Sequence, residues 1–220
     1  MQYLKIISLL TFIFIITACG LSPFDETTNS TIPVSGNMRE ENTLFETGAD
    51  NCVFMFETND TKYLGANGYT IWSVPYINTS DTFDEFTVET VKENGRTEAG
   101  FGIIFCAQQI NEKPFMLTVM INANGFYTVG KITNGVYCHI NEGWRNCRYI
   151  RKGLGVKNRL CISYDNERQN YILKINGYEI TEFTVSENIT FKNSRKGFAV
   201  VIANNENFPS SSVKVTFEYK

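Results

Sequence analysis

From Cys52 to the C-terminus the chain alternates short apolar runs with turn residues, and no window of eleven or more residues keeps a helical period. The runs include "CVFMFET", "YTIWSVPY", "FDEFTVETVKE", "GFGIIFCAQ", "FMLTVMI", "GFYTVGKIT", "NRLCISYD", "NYILKING", "EITEFTV", "KGFAVVIAN" and "VKVTFEYK", all rich in β-branched and aromatic residues. A chain of this kind buries itself by pairing strands and stacking sheets, not by packing helices on a parallel sheet. Asn124-Gly125, Asn134-Gly135 and Asn176-Gly177 supply the positive φ that type I′ hairpins require. "YDNERQNYILKINGYEI" reads as two consecutive hairpins. About a dozen strands at this spacing predict an all-β, two-sheet antiparallel sandwich or a barrel.

The N-terminus is of a different kind. "MQYLKIISLLTFIFIITACG" carries one positive charge, Lys5, followed by thirteen apolar or small residues from Ile6 to Ala18. That run is shorter than the roughly 20 residues of a membrane span and suits the apolar part of a secretory signal. Ile16-Thr17-Ala18-Cys19 resembles the bacterial lipobox. The resemblance implies cleavage before Cys19, lipidation of its thiol and acylation of the freed amine, so that residues 1–18 are a signal peptide. Several acyl chains, each contributing about 0.8 kcal/mol per buried methylene, hold such a protein on a bilayer. Removing Lys5 leaves 19 basic residues against 23 acidic ones, a charge of −4 where the whole chain has −3. Gly20 after the cysteine favours the outer membrane in a Gram-negative cell. Residues 19–45, rich in Ser, Thr, Asn, Pro and acidic side chains, cannot bury enough apolar area to offset their ordering entropy and read as a tether. The folded domain then spans 46–220, with Leu44 and Phe45 near its first strand.

"AGFGIIF", "ANGFYTVGKITNG", "NRLCI", "YILKINGYEI", "KGFAVVIAN" and the closing "VKVTFEY" follow one another in an order that resembles concanavalin A-like jelly rolls. More narrowly, the order is similar to laminin-G-like modules of bacterial surface proteins. The resemblance covers residues 52–220 and implies a jelly-roll sandwich of two curved antiparallel sheets. That fold hosts lectins, glycosidases, adhesion modules and structural domains, so function has to come from a site.

Several sites compete. Glu85 and Glu89 flank Thr87 in "DEFTVETVKE", a pattern close to the Glu-x-Asp-x-Glu of laminarinase-type hydrolases, and retaining glycosidases use two carboxyls about 5 to 5.5 Å apart. Thr87 stands where that pattern has its central Asp, and alternation puts Phe86 and Val88 in the core with Glu85 and Glu89 on the other face, as on a solvated strand. His139 is the sole histidine, which excludes a His-rich zinc centre, and its loop setting reads as surface or packing. With Cys19 lipidated, five cysteines remain in an oxidising compartment, and Cys138 and Cys147 are the expected disulfide because they flank a short loop. The same loop, "VYCHINEGWRNCRY", clusters Tyr137, Trp144, Arg145 and Tyr149, the side chains that stack on sugar rings and hydrogen-bond their hydroxyls. Calcium, frequent on laminin-G-like domains, has rim carboxylates to draw on at Asp81 with Asp84 or Asp165 with Glu167. The formal charge of −3 and a pI near 5.3 speak against a basic patch or stripe of the kind that neutralises phosphates, and so against nucleic acid as a partner. The expectation is a lipid-anchored envelope protein acting as a non-catalytic recognition or adhesion module, with glycan or a surface protein as partner. The alternatives are a glycosidase using Glu85 and Glu89, and a structural surface lipoprotein.

Overall fold

The computed structural model describes residues 45–47, 52–64, 68–83 and 85–220. The expected signal peptide, Cys19, the expected tether up to residue 44 and Asp84 lie outside the described residues. Fourteen strands are described: β1 (Phe45–Thr47), β2 (Val53–Thr58), β3 (Tyr69–Asn78), β4 (Phe86–Asn94), β5 (Phe101–Ile110), β6 (Lys113–Ile121), β7 (Phe126–Thr133), β8 (Val136–His139), β9 (Arg145–Asn146), β10 (Lys157–Asp165), β11 (Asn170–Ile175), β12 (Tyr178–Phe183), β13 (Arg195–Ala203) and β14 (Val213–Tyr219). Sheet A runs β3-β13-β5-β6-β7-β8, with β9 also on β7, and sheet B runs β1-β2-β14-β4-β10-β11-β12. Every pairing is antiparallel. The expected two-sheet sandwich is what forms.

Period-two alternation puts one face of each sheet into a common core. Phe54, Phe56, Phe86, Val88, Leu160, Leu173 and Phe217 come from sheet B, and Phe101, Ile103, Phe105, Leu117, Val119, Phe198 and Val200 from sheet A. Phe198 stacks on Phe217 at 4.8 Å and Phe54 lies 4.7 Å from Phe198, so aromatic rings join the two layers. Each such side chain contributes about 1.5–3 kcal/mol by leaving water.

The two outer faces differ. That of sheet B is charged: Glu89 pairs with Lys157, and Lys214 with Glu93. That of sheet A is a second apolar layer, built from Ile71, Ile104, Met116, Met120, Ile132 and Val201 with Ala99, Ala107, Ala199 and Ala203. At the end of β4 the inward alternation reaches a cation. Lys92 is buried, its Nζ donates to the Ala99 carbonyl at 2.9 Å, and burial pushes its pKa down to about 8. Glu206, also buried, accepts the Arg96 amide at 3.0 Å.

Three expectations are corrected. Asn134-Gly135 and Asn176-Gly177 have positive φ at both residues, as type I′ turns require, but at 124–125 only Gly125 does (φ 92°). There the Asn122 side chain accepts the amides of Asn124 and Phe126, which shapes a longer turn. The stretch read as a loop contains β8 and β9, because the Asn134-Gly135 turn folds Val136–His139 back onto β7. Cys138 and Cys147 are free thiols, not a disulfide. Cys138 lies opposite Lys131, whereas the Cys147 amide bonds the Gly125 carbonyl, six residues or about 20 Å away along β7. A disulfide spans at most about 7 Å between Cα atoms.

Candidate functional site on the outer face of sheet A

The β7–β8 hairpin sets the site. Its register places Gly130 opposite His139 and Ile132 opposite Tyr137, so both β8 side chains share the outer face with Thr128. Gly130 has no side chain to interfere. A Cβ there would fall 2.5 Å from the Tyr137 ring, so the ring lies across the bare backbone. Thr128 Oγ1 then bonds Tyr137 Oη at 3.1 Å and His139 Nδ1 at 2.8 Å, and the Tyr137 and His139 rings meet edge to face at 4.9 Å. Burial pushes the Tyr137 phenol well above its ordinary range.

Asn141 extends the network. Its Oδ1 accepts the Val129 amide at 2.9 Å and approaches Thr128 Oγ1 at 3.4 Å, which fixes the side chain. Its Nδ2 is buried and has no acceptor. A buried donor without a partner carries a desolvation cost of about 1–3 kcal/mol, which a ligand oxygen would offset.

Trp144 reaches the same face from the loop beyond β8. It lies across Gly100, where a Cβ would come within 2.7 Å of the indole, and it contacts the apolar layer that includes Val201. Tyr69 on β3 and Tyr137 on β8 pack against that layer from the two edges. Between them Gly100, Gly102, Ser73, Ala199 and Thr118 alternate with the larger Ile104, Met116 and Met120, and all of these are buried. Half-buried aromatics on an apolar face, with hydroxyl, imidazole and amide groups at one edge, can stack on an amphipathic ring and hydrogen-bond its rim.

The expected cluster is thus divided. Tyr137 and Trp144 share this face. Arg145 pairs with Glu142 at 2.9 Å on the β9 edge, and Tyr149 stacks on Tyr178 at 4.1 Å. His139, Asn141, Thr128 and Tyr69 belong to the site and were not foreseen. The glycines at 102 and 130, within strands, and at 100, just before β5, were the legible signal, since a glycine in or beside a strand marks a close approach.

Glu85 and Glu89 lie on the other sheet. Glu89 accepts from Lys157 at 2.8 Å with Lys220 at 3.9 Å, and Lys157 holds its carboxyl below the usual range. Glu85 accepts the Thr87 hydroxyl at 2.8 Å. Of the rim carboxylates, Asp81 pairs with Lys192, while Asp165 accepts the amides of Glu167 and Arg168 and closes its own turn. Among the described residues no three His, Cys, Asp or Glu side chains are grouped to share a metal ion. A cleft of about 540 Å³ opens at another edge, lined by Glu57, Asn59, Asn94, Pro209 and Ser210–Ser212. It is mostly polar, and its Ser212 hydroxyl accepts from Asn94 and donates to Glu57.

The sequence matches no protein-family model and no curated protein. Solved structures do match. A native glycosidic hydrolase superposes with a TM-score of 0.53 at 11% identity, over 81% of this chain and 80% of its own. A β-glucanase of Bacillus licheniformis gives 0.51 at 7%, over 81% of each chain. The carbohydrate-binding module CBM66 of Bacillus subtilis gives 0.50 at 11%, over 79% of this chain and 90% of its own. At such identities the likeness defines the fold: the chain is a concanavalin A-like jelly roll.

Proposed function

We propose that the protein is a non-catalytic recognition module of the bacterial envelope, anchored through lipidated Cys19, that binds glycan on the outer face of sheet A. The observation that carries this reading is the pairing of Trp144, laid across Gly100, with the fixed polar edge of Tyr137, Thr128, His139 and Asn141. Sugar rings present an apolar face and a hydroxyl rim, and this arrangement offers a partner to each. Structures of this fold include both a carbohydrate-binding module and hydrolases, so the site must discriminate. Glu89 is salt-bridged to Lys157 with its pKa lowered, opposite to the direction a proton donor needs. The reading therefore gives Glu85 and Glu89 a surface role.

The test is a broad glycan array probed with residues 45–220, with and without calcium. Saturable binding is expected, reduced at least tenfold by Trp144→Ala and by His139→Ala, with reducing-end release absent from a β-glucan panel. Silence across the array would refute the reading and transfer weight to a structural surface role. Sugar release abolished by Glu89→Gln would establish the hydrolase.

A further inference from the structure

The chain as a whole is acidic, yet residues 145–159 hold Arg145, Arg148, Arg151, Lys152, Lys157 and Arg159 and no Asp or Glu. Arg145 and Lys157 are engaged by Glu142 and Glu89, and Arg159 faces Glu89 across the β4–β10 pair. Arg148, Arg151 and Lys152 are exposed and make no ion pair among the described residues. Arg148 lies over the Tyr149 ring at 4.8 Å, and Tyr149 in turn stacks on Tyr178, which is 54% exposed. Lys152 runs across Gly125.

The loop that carries these cations is fixed. Asn158 Oδ1 accepts the Arg151 amide at 2.9 Å, and its Nδ2 donates to the Arg151 carbonyl at 3.0 Å. Asn176 Nδ2 donates to the Tyr149 carbonyl at 2.7 Å. Beyond Lys152 the chain turns at Gly153 (φ 109°) and Gly155 (φ 72°), whose amides bond the Ala123 and Lys92 carbonyls at 2.8 Å each. At the tip between the two glycines Leu154 is 40% exposed.

We propose that this loop is a docking surface for the anionic phospholipid headgroups of a bilayer. Arg148, Arg151 and Lys152 meet the phosphates, while Leu154 and Tyr178 enter the interfacial layer, where an aliphatic tip and a phenol are both accommodated. A soluble polyanion would satisfy the cations and leave Leu154 in water. A bilayer satisfies both. The loop lies apart from the aromatic site on sheet A, and the inference is independent of the glycan reading.

Residues 45–220 contain every described strand and both apolar layers, so this fragment is the material to test. It would be sedimented with phosphatidylcholine vesicles containing about one third phosphatidylglycerol and with phosphatidylcholine alone. Salt-sensitive binding to the anionic vesicles only is expected. Each basic residue near such a surface is worth about fivefold, so Arg148→Gln with Arg151→Gln and Lys152→Gln lowers partitioning about a hundredfold. Leu154→Ser, at constant charge, lowers it about tenfold. The triple exchange to Lys, Lys and Arg at these positions retains binding. Wild-type fragment that stays in the supernatant, or a Gln triple variant that sediments equally well, would overturn the proposal. Unchanged binding by Leu154→Ser, together with equal capture by a soluble acidic polysaccharide, would reassign the loop to polyanions.

Discussion

Lys92 makes the stability of this fold depend on pH in an unusual direction. Its folded pKa of about 8 lies below the 10.5 of an exposed lysine because burial disfavours the ammonium more than nearby Glu206 and Glu98 favour it. Between those values the unfolded chain holds a proton that the folded chain has released. Stability contributed by this residue therefore rises with pH through that window. At 1.36 kcal/mol per pH unit the gap amounts to about 3 kcal/mol, of which about 2.5 kcal/mol falls between about pH 7 and pH 10. Other groups oppose it. Burial pushes the Cys106 thiol from 9.0 up to about 12, so the stability it contributes is present below pH 9.0 and is lost progressively as pH rises from 9.0 toward about 12. Lys92→Met, of similar length and uncharged, separates the two effects because both proteins share Cys106. Urea denaturation of each protein across this range should show the wild type gaining about 2–3 kcal/mol on the variant toward alkaline pH. Parallel profiles, or a wild type that loses ground, would refute the assignment of a buried ammonium.

Two further outcomes follow from the same geometry. Glu89→Gln should cost less than about 1 kcal/mol at neutral pH, as a partly exposed pair does. Because the Glu89 pKa is lowered from 4.5, the cost should vanish as pH falls through the folded value, a loss that acid titration of both proteins would register. Gly130→Val puts a side chain where the Tyr137 ring lies, and should cost about 1–3 kcal/mol in denaturant while abolishing binding at the sheet A face.

Much of this architecture is written locally. Runs such as "GFGIIFCAQ" and "KGFAVVIAN" are strands because branched and aromatic side chains recur between turn residues, and β5 and β13 occupy them within a residue or two. The paired β8 was hidden because "VYCH" is short, ends in the polar His139 and is followed by the polar Asn141 and Glu142. Yet the two-residue Asn134-Gly135 turn fixes the register that brings Tyr137 and His139 beside Thr128. That constellation was derivable. Nothing local could show that Trp144 crosses Gly100, a contact between residues 44 positions apart, or that Asn111 and Glu112 adopt positive φ without a glycine. The Cys138–Cys147 expectation failed for a related reason: nearness in sequence was read as nearness in space, while β7 keeps the two thiols at its opposite ends.

Tyr149 explains why one loop divides between two surfaces. After Trp144 has turned onto sheet A, Cys147 and Ile150 enter the core, 5% and 3% exposed, and anchor the chain between them and beyond. Arg148 and Tyr149 lie between those anchors and are turned to the edge of sheet B, against Tyr178 of β12. Three residues thus separate Trp144 on the proposed glycan face from Arg148 on the proposed membrane face. Their variants should dissociate: Trp144→Ala should leave vesicle binding intact, and the basic triple variant should leave glycan binding intact. If either substitution removed both activities, the two anchors would not isolate the surfaces, and a single ligand spanning Trp144 and Arg148 would be the better account.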